Sequence, residues 1–391
     1  MDRPSDADGG LDNAALTRRA LLKRGGVGAS ALMLPGILAA CGSSSSGSST
    51  SSSSSASAAA SGESPALTKL LDNIKSKEVI VANYGGDTEA ARQKVFWTPF
   101  TERTKVTVIS ADAGALGDEM QEGEIPTRWD CFHGSCDEVY AALKLGKKPI
   151  DKLPQISWEG LTPAKYKPYM FQSFFVGYVP AYVAGTFKGD QPNSWADFFD
   201  TKKFPGKRAW PGVAYTSGTR EAALMADGVP PDKVYPYDLE RADAKIKSIF
   251  SDLVFYNEFP QAQSFLTSKE VVMSFGPNGL WHETSASGVE ITVMWGATPL
   301  IEENGMNLMP DPPHLDAVTA LAAFCNNPKL MAEFATMTSY GPPSKEAFKY
   351  LSKAQQDELP TAPGRKVLYE DTAYVGSIEN SLAADNKKLF S

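Results

Sequence analysis

From Glu78 to the C-terminus, short apolar runs alternate with helical patterns, and no repeat of solenoid or propeller length interrupts them. Glu78 to Ala82 reads as a strand ending in the turn signal Asn83-Tyr84-Gly85-Gly86. Glu89 to Arg103 follows as a helix with Val95, Phe96 and Phe100 on its buried stripe. Lys105 to Ser110 and Trp129 to Phe132 read as strands, and Ser135 is placed to cap a helix from Asp137 to Leu145. Phe174 to Val183 is an aromatic and β-branched run, Ser194 caps Trp195 to Phe199, and Arg208 to Val213 is strand-like. Helices start near Thr219 and run from Leu239 to Phe250; Val271 to Phe275 and Ile291 to Trp295 are strands. The chain ends in helical stretches at His314 to Cys325, Lys329 to Met337 and Ser344 to Leu351. This alternation predicts an α/β protein with parallel-type sheets covered on both faces. The length suits two such lobes better than one. In open α/β sheets ligands sit beyond the carboxyl ends of the strands. The loops after residues 82, 132, 213, 275 and 295 are therefore where a site is expected.

The first 65 residues do not join that scheme. Thr17-Arg18-Arg19-Ala20-Leu21-Leu22-Lys23 sets an arginine pair ahead of an apolar run from Ala29 to Ala40. The run is shorter than the roughly 20 apolar residues that span a bilayer and fits the core of a secretory signal. The arginine pair points to the twin-arginine route. Leu38-Ala39-Ala40-Cys41-Gly42 closes the run as a lipobox, with the Cys41 thiol as the group to be lipidated. Residues 1–41 are thus expected to be a twin-arginine lipoprotein signal. Residues 42–65, nearly all Ser with some Ala and Gly, cannot bury apolar surface and are expected to form a tether. The predicted location is the outer face of a cell membrane, held by lipid.

The formal charge of the 391-residue chain is −8, which argues against a nucleic-acid binder and its usual basic face. Three His residues, 133, 282 and 314, lie far apart, and Cys131-x4-Cys136 is a weak metal signal, so no metal and no cofactor are expected. Cys131, Cys136 and Cys325 admit either one disulfide plus a thiol or three buried thiols. Folding before export favours the thiols.

Several ordered motifs carry a family resemblance. They are Val81-Ala82-Asn83-Tyr84-Gly85-Gly86-Asp87, Pro99-Phe100-Thr101-Glu102-Arg103-Thr104 and Asn193-Ser194-Trp195-Ala196-Asp197-Phe198-Phe199-Asp200 with Lys203-Phe204-Pro205-Gly206-Lys207-Arg208. Ala226-Asp227-Gly228-Val229-Pro230-Pro231, Glu270-Val271-Val272-Met273, Tyr340-Gly341-Pro342 and Leu359-Pro360-Thr361-Ala362-Pro363 continue the series. In this order the chain resembles the extracellular solute-binding proteins of ABC importers, of the spermidine/putrescine-binding (polyamine) type. The resemblance implies an α/β, two-lobed periplasmic-binding-protein fold (Venus-flytrap, type II) with hinge crossings, closing on a solute and delivering it to a membrane permease. It implies one lobe from 66–178 plus about 305–345, and a second from 179–304 plus about 346–391.

A polyamine site needs carboxylates for the ammonium groups and aromatic faces for the chain. Tyr84 and Asp87 lie in the first Gly-Gly loop, as a ligand aromatic and acid or as a packing residue and a helix cap. Ser135 follows the strand ending in Phe132, next to His133, whose role stays open. Polyamine binders begin a helix with Asp-x-Arg-Glu where this chain has Gly218-Thr219-Arg220-Glu221. Glu221 is the remaining acid, either an amine partner or first-turn helix charge. Ser217 and Thr219 at the same helix start form a rival site for an anionic or zwitterionic solute, such as an amino acid or aminophosphonate. Trp281, with His282, is placed to replace a tryptophan the family carries after residue 275. Trp295, ending the next strand, is either a ligand-facing aromatic or a core residue, and Glu303, beside Glu302, sits near a family acid.

Among function classes, an extracytoplasmic enzyme is the weaker reading. There is no Gly-x-Ser-x-Gly elbow, no His-Glu-x-x-His, no P-loop and no dinucleotide glycine pattern. The expected protein is a non-enzymatic transport receptor. It captures a small polar, amine-bearing solute outside the membrane and hands it to an ABC permease.

Overall fold

The computed structural model describes residues 63–390, apart from 115, 117–118, 120–127, 149, 152–167, 214 and 216–217. The expected signal, Cys41 and the serine tether up to residue 62 lie outside the described residues, as does Ser217. The last expected tether residues belong to the folded body, since Glu63 pairs with Arg103 at 3.0 Å and Ser64 caps a helix starting at Pro65.

Ten strands form one sheet: β1 (Glu78–Asn83), β2 (Thr107–Asp112), β3 (Cys131–Gly134), β4 (Met170–Val183), β5 (Arg208–Pro211), β6 (Leu253–Tyr256), β7 (Met273–Pro277), β8 (Ile291–Val293), β9 (Leu300–Leu308) and β10 (Leu368–Tyr369). Their order is β2-β1-β3-β9-β4-β7-β5-β6, with β10 beside β9 and β8 beside β4. The sheet is mixed, which corrects the parallel-type expectation. β1 with β2 and β3, and β5 with β6 and β7, are parallel, as the strand–helix alternation requires. β9 runs antiparallel to β3 and β4, and β4 runs antiparallel to β7 and β8. The two long central strands are thus set against the flow of the βα units on either side.

The apolar side chains gather into separate cores. One is built on Val179, Trp195, Phe198, Trp210, Phe275 and Trp281 with Leu382 and Leu389 from the last helix. Another holds Val81, Phe100, Phe171, Leu308, Leu321 and Phe334. A smaller one lies under Phe132, Met170 and Met309. β4 and β9 feed side chains to cores on both sides of the sheet's centre, because their length carries them past the ends of their shorter neighbours.

Several motifs that carry the resemblance are structural. Ser194 accepts from the Asp197 amide at 3.1 Å, and Asp197 accepts in return from the Asn193 amide at 3.0 Å, so the helix Trp195–Phe199 starts on a reciprocal cap. The Arg208 guanidinium, fully buried, donates to the carbonyls of Phe198 (2.9 Å), Asp200 (3.2 Å), Phe204 and Gly206. Buried donors need such partners, which explains an arginine at the end of Lys203-Phe204-Pro205-Gly206-Lys207-Arg208.

Three differences from the sequence reading stand out. The predicted helix Glu89 to Arg103 is a helix Gly86–Arg92, a π-turn Gln93–Trp97 and a helix Thr98–Thr104. Pro99 sits at the second position of the last piece, where its missing N–H costs nothing. β9 is a central strand where the sequence reading placed no element, between Trp295 and His314. An 18-residue helix, Thr372–Leu389, closes the chain beyond the helices read from sequence. Cys131, Cys136 and Cys325 are buried with no disulfide among them.

Candidate functional site

The loop after β1 is set by its glycines. Gly85 and Gly86 have φ of +73° and +72°, a region that glycine enters without strain. Asn83 locks the turn: its Oδ1 accepts from the Gly85 amide at 2.8 Å and from Arg92 Nη2 at 3.0 Å, and its Nδ2 donates to Ser110 at 3.0 Å. Arg92 is buried, and loss of water lowers its pKa to about 10. The turn directs Tyr84 outward, 51% exposed, with its ring edge on Phe132 at 5.6 Å. Phe132 in turn covers Gly134, where any Cβ would fall 2.3 Å from the ring. Tyr84, Phe132 and Gly134 therefore make one surface at the ends of β1 and β3.

Asp87 is exposed in the first turn of helix Gly86–Arg92 and makes no capping bond. Burial and then the Asp87 charge raise the carboxyl of Glu283, which puts helix Asn278–Ala286 within electrostatic reach of this loop. Tyr340 joins them: burial pushes its hydroxyl up to about 12, with Glu283 and Glu302 adding to the rise and a Thr88 hydrogen bond opposing it.

At the end of β3 the geometry is tighter. Ser135 Oγ accepts from the Asp137 amide at 3.4 Å at the start of helix Asp137–Lys144, and its carbonyl takes the Asn307 Nδ2 at 3.3 Å. Ser135 thus serves the helix start. His133 is buried beside Phe174, with ring centroids 5.7 Å apart, and neither ring nitrogen has a hydrogen-bond partner. Burial and the Arg92 charge hold it neutral, well below the usual imidazole range.

The helix Thr219–Ala226 begins after Gly218 at φ +84°. Thr219 and Glu221 are both fully buried. Glu221 accepts from the Tyr235 hydroxyl at 2.9 Å and from the Tyr237 hydroxyl. Burial raises its pKa while the tyrosine bonds oppose that rise. The structure therefore sets Glu221 inside a tyrosine cage rather than on an open surface. Trp281 is likewise a core residue, with its Nε1 donating to Val179 O at 3.0 Å. Trp295 is half-buried, and the Arg365 guanidinium covers its face at 4.1 Å.

Glu303 belongs to a group that sequence reasoning did not assemble. It lies on β9 opposite Phe175 of β4, one residue from Glu302 opposite Val176. Tyr178 donates its hydroxyl to Glu302 at 3.2 Å. Burial, and then the charges of Glu302 and Glu370, hold the Tyr178 hydroxyl far above its ordinary value. Burial pushes Tyr140 up to about 12, with Glu303 among the charges that contribute, and burial and Glu303 also raise Tyr369. Glu370, just after β10, is buried and adds to the rise of Tyr235 and Tyr237 beyond burial and Glu221. Glu302 and Glu370 thus flank Tyr178, while Glu303, next on β9 and on its opposite face, stands by Tyr369 and Tyr140. β10 was the missing signal, because Leu368-Tyr369 is too short a strand to read from sequence.

A mixed sheet with helices on its faces, opening polar loops at its strand ends, is the architecture of the solute receptors. The match to a family model described as bacterial extracellular solute-binding protein spans residues 97–362, and the chain belongs to this family. The Gamma-aminobutyric acid-binding protein of Pseudomonas aeruginosa is 28% identical over 304 residues, covering 74% of this chain and 83% of that one. A solved GABA receptor structure is 25% identical, with a TM-score of 0.68 over 80% of this chain and 98% of that chain. An ABC transporter substrate-binding protein from Bradyrhizobium japonicum is 25% identical, with a TM-score of 0.70 over 80% of this chain and 99% of that one. The fold is the α/β periplasmic-binding-protein fold. The chain is a solute-binding protein of an ABC importer, a receptor for a small polar solute with a permease as its partner, and not an enzyme.

Proposed function

We propose that the solute carries an ammonium group, and that a small zwitterion of the γ-aminobutyric acid kind is the first candidate, ahead of a polyamine. The observation that carries this reading is the pair Glu302 and Glu370 around Tyr178, with Glu303 beside Tyr369 on the other face of β9. Carboxylates drawn out of water, Glu370 buried and Glu302 half-buried, favour a cationic partner, and tyrosine faces add about 0.5–2 kcal/mol each through cation–π contact. Tyr84, Asp87 and Trp295 complete the solute surface on this reading, while Ser135, Thr219, Glu221 and Trp281 hold its frame. A polyamine needs acids at both ends, and Gly218 stands where the second acid of Glu221 would be. A solute with one ammonium and one carboxylate avoids that demand. The Pseudomonas aeruginosa relative supports this choice by the ligand in its name.

The two lobes, 66–178 with about 305–345 and 179–304 with about 346–391, close over the solute on this proposal, hinged at β4 and β9. Twin-arginine export and lipid on Cys41 keep the receptor beside its permease. A thermal-shift panel of GABA, putrescine, spermidine, succinate and a sugar tests the solute class. At a hundredfold excess over Kd a true solute adds about 2.7 kcal/mol of stability. A shift with GABA supports the proposal, and a shift with succinate alone overturns it. Release of the protein from membranes by Cys41→Ala, read by fractionation, tests the anchor.

A further inference from the structure

The turn after β5 is held from a distance. Asn386, fully buried near the end of the helix Thr372–Leu389, donates Nδ2 to the Tyr215 carbonyl at 2.7 Å and to the Val213 carbonyl at 3.4 Å. Its Oδ1 accepts from Arg220 Nη1. Arg220, also fully buried, is fixed in turn by Asp243 at 3.1 Å. One side-chain amide therefore joins the turn before helix Thr219–Ala226 to the second residue of that helix. The turn has its own bond, from the Tyr215 amide to the Gly212 carbonyl at 3.1 Å, and Tyr215 stacks on Phe259 at 4.9 Å.

The support itself is stiff. Asp371 caps the helix on the Tyr374 amide at 3.1 Å, and the Tyr374 hydroxyl accepts from the Tyr237 amide at 3.0 Å. At Gly376 the helix approaches helix Asp137–Lys144 so closely that a Cβ would lie 2.4 Å from the Asp137 carbonyl oxygen. Leu382 and Leu389 bury the remaining turns. A helix pinned along its length can hold the Asn386 amide at a fixed height.

We propose that Asn386 is a positioning residue for solute capture, setting the Val213 and Tyr215 carbonyls and the start of helix Thr219–Ala226 without touching the solute. The proposal rests on the reading of that helix start as the frame of the solute site. Asn386→Asp separates its two functions, because the carboxylate keeps an acceptor for Arg220 and loses both N–H donors to the turn. Backbone amide exchange on the solute-free protein reads the turn directly. Losing two hydrogen bonds is expected to speed exchange at the Tyr215 amide by about ten-fold or more, with the amides of β4 and β9 unchanged. GABA titrated into the same variant is expected to bind at least several-fold more weakly than to the unaltered protein. Unchanged exchange at Tyr215 overturns the proposal, and so does faster exchange spread evenly over the sheet, which would make Asn386 a general packing residue. If the unaltered protein gives no heat with GABA, the solute assignment fails while the exchange result still decides Asn386.

Discussion

The loop after β1 and the start of helix Thr219–Ala226 both lie at strand ends and both carry the family's motifs, yet they are opposite in construction. The first leaves Tyr84 half exposed and Asp87 in solvent above a turn locked by Asn83 and Arg92. The second buries Thr219, Arg220 and Glu221 completely, with Glu221 held by two tyrosine hydroxyls and Arg220 by Asp243 and Asn386. Resemblance at a motif marks a shared frame in one case and a shared surface in the other. Burial and hydrogen bonding distinguish the two, and neither is visible in a motif.

The sharpest way to break the comparison is Glu221→Ala. It strands the hydroxyls of buried Tyr237 and half-buried Tyr235, at about 1–3 kcal/mol each, so urea denaturation should show a loss of roughly 2–6 kcal/mol. A loss of solute affinity with unchanged stability would return Glu221 to the site. Tyr84→Ala reverses the pattern: affinity for GABA should fall about ten-fold by calorimetry while the urea midpoint stays put, as suits an exposed ring worth about 1–2 kcal/mol to a cation.

A smaller effect follows from pH. Burial raises the folded pKa of Glu221 above its ordinary 4.5, so the folded protein holds that proton more tightly than the unfolded chain. Its contribution is fully present below the ordinary value and is lost as pH rises through the raised one. Denaturation of the unaltered protein and of Glu221→Gln from pH 4 to 7 should differ in slope with that sign, and equal slopes would count against the buried carboxyl. Asp87→Asn should do least: it removes one of the two causes raising Glu283, and NMR titration should find that carboxyl more acidic, with stability unchanged within about 0.5 kcal/mol, the usual range for a surface change.

The α/β class, most strands and the cap at Ser194 were legible because period, turn residues and capping chemistry act locally. The sheet's mixed direction was not, since β9 hides its strand in Glu302-Glu303-Asn304-Gly305, polar residues that long-range pairing with β4 and β3 overrides. Tyr84 and Asp87 were found in the sequence because a Gly-Gly turn after a strand exposes what it carries. Glu221 and Trp281 looked the same on paper, and only the tyrosine cage and the bond to Val179 place them in the frame. Glu370 was missed because its neighbours Tyr178, Tyr235 and Tyr237 come from distant parts of the chain.

Isothermal titration of the protein with GABA, putrescine and succinate tests the central claim most directly. The account predicts a saturable one-to-one heat with GABA that weakens in Tyr84→Ala and in Glu303→Gln, and none with succinate. Binding of succinate with no heat from either amine would contradict it.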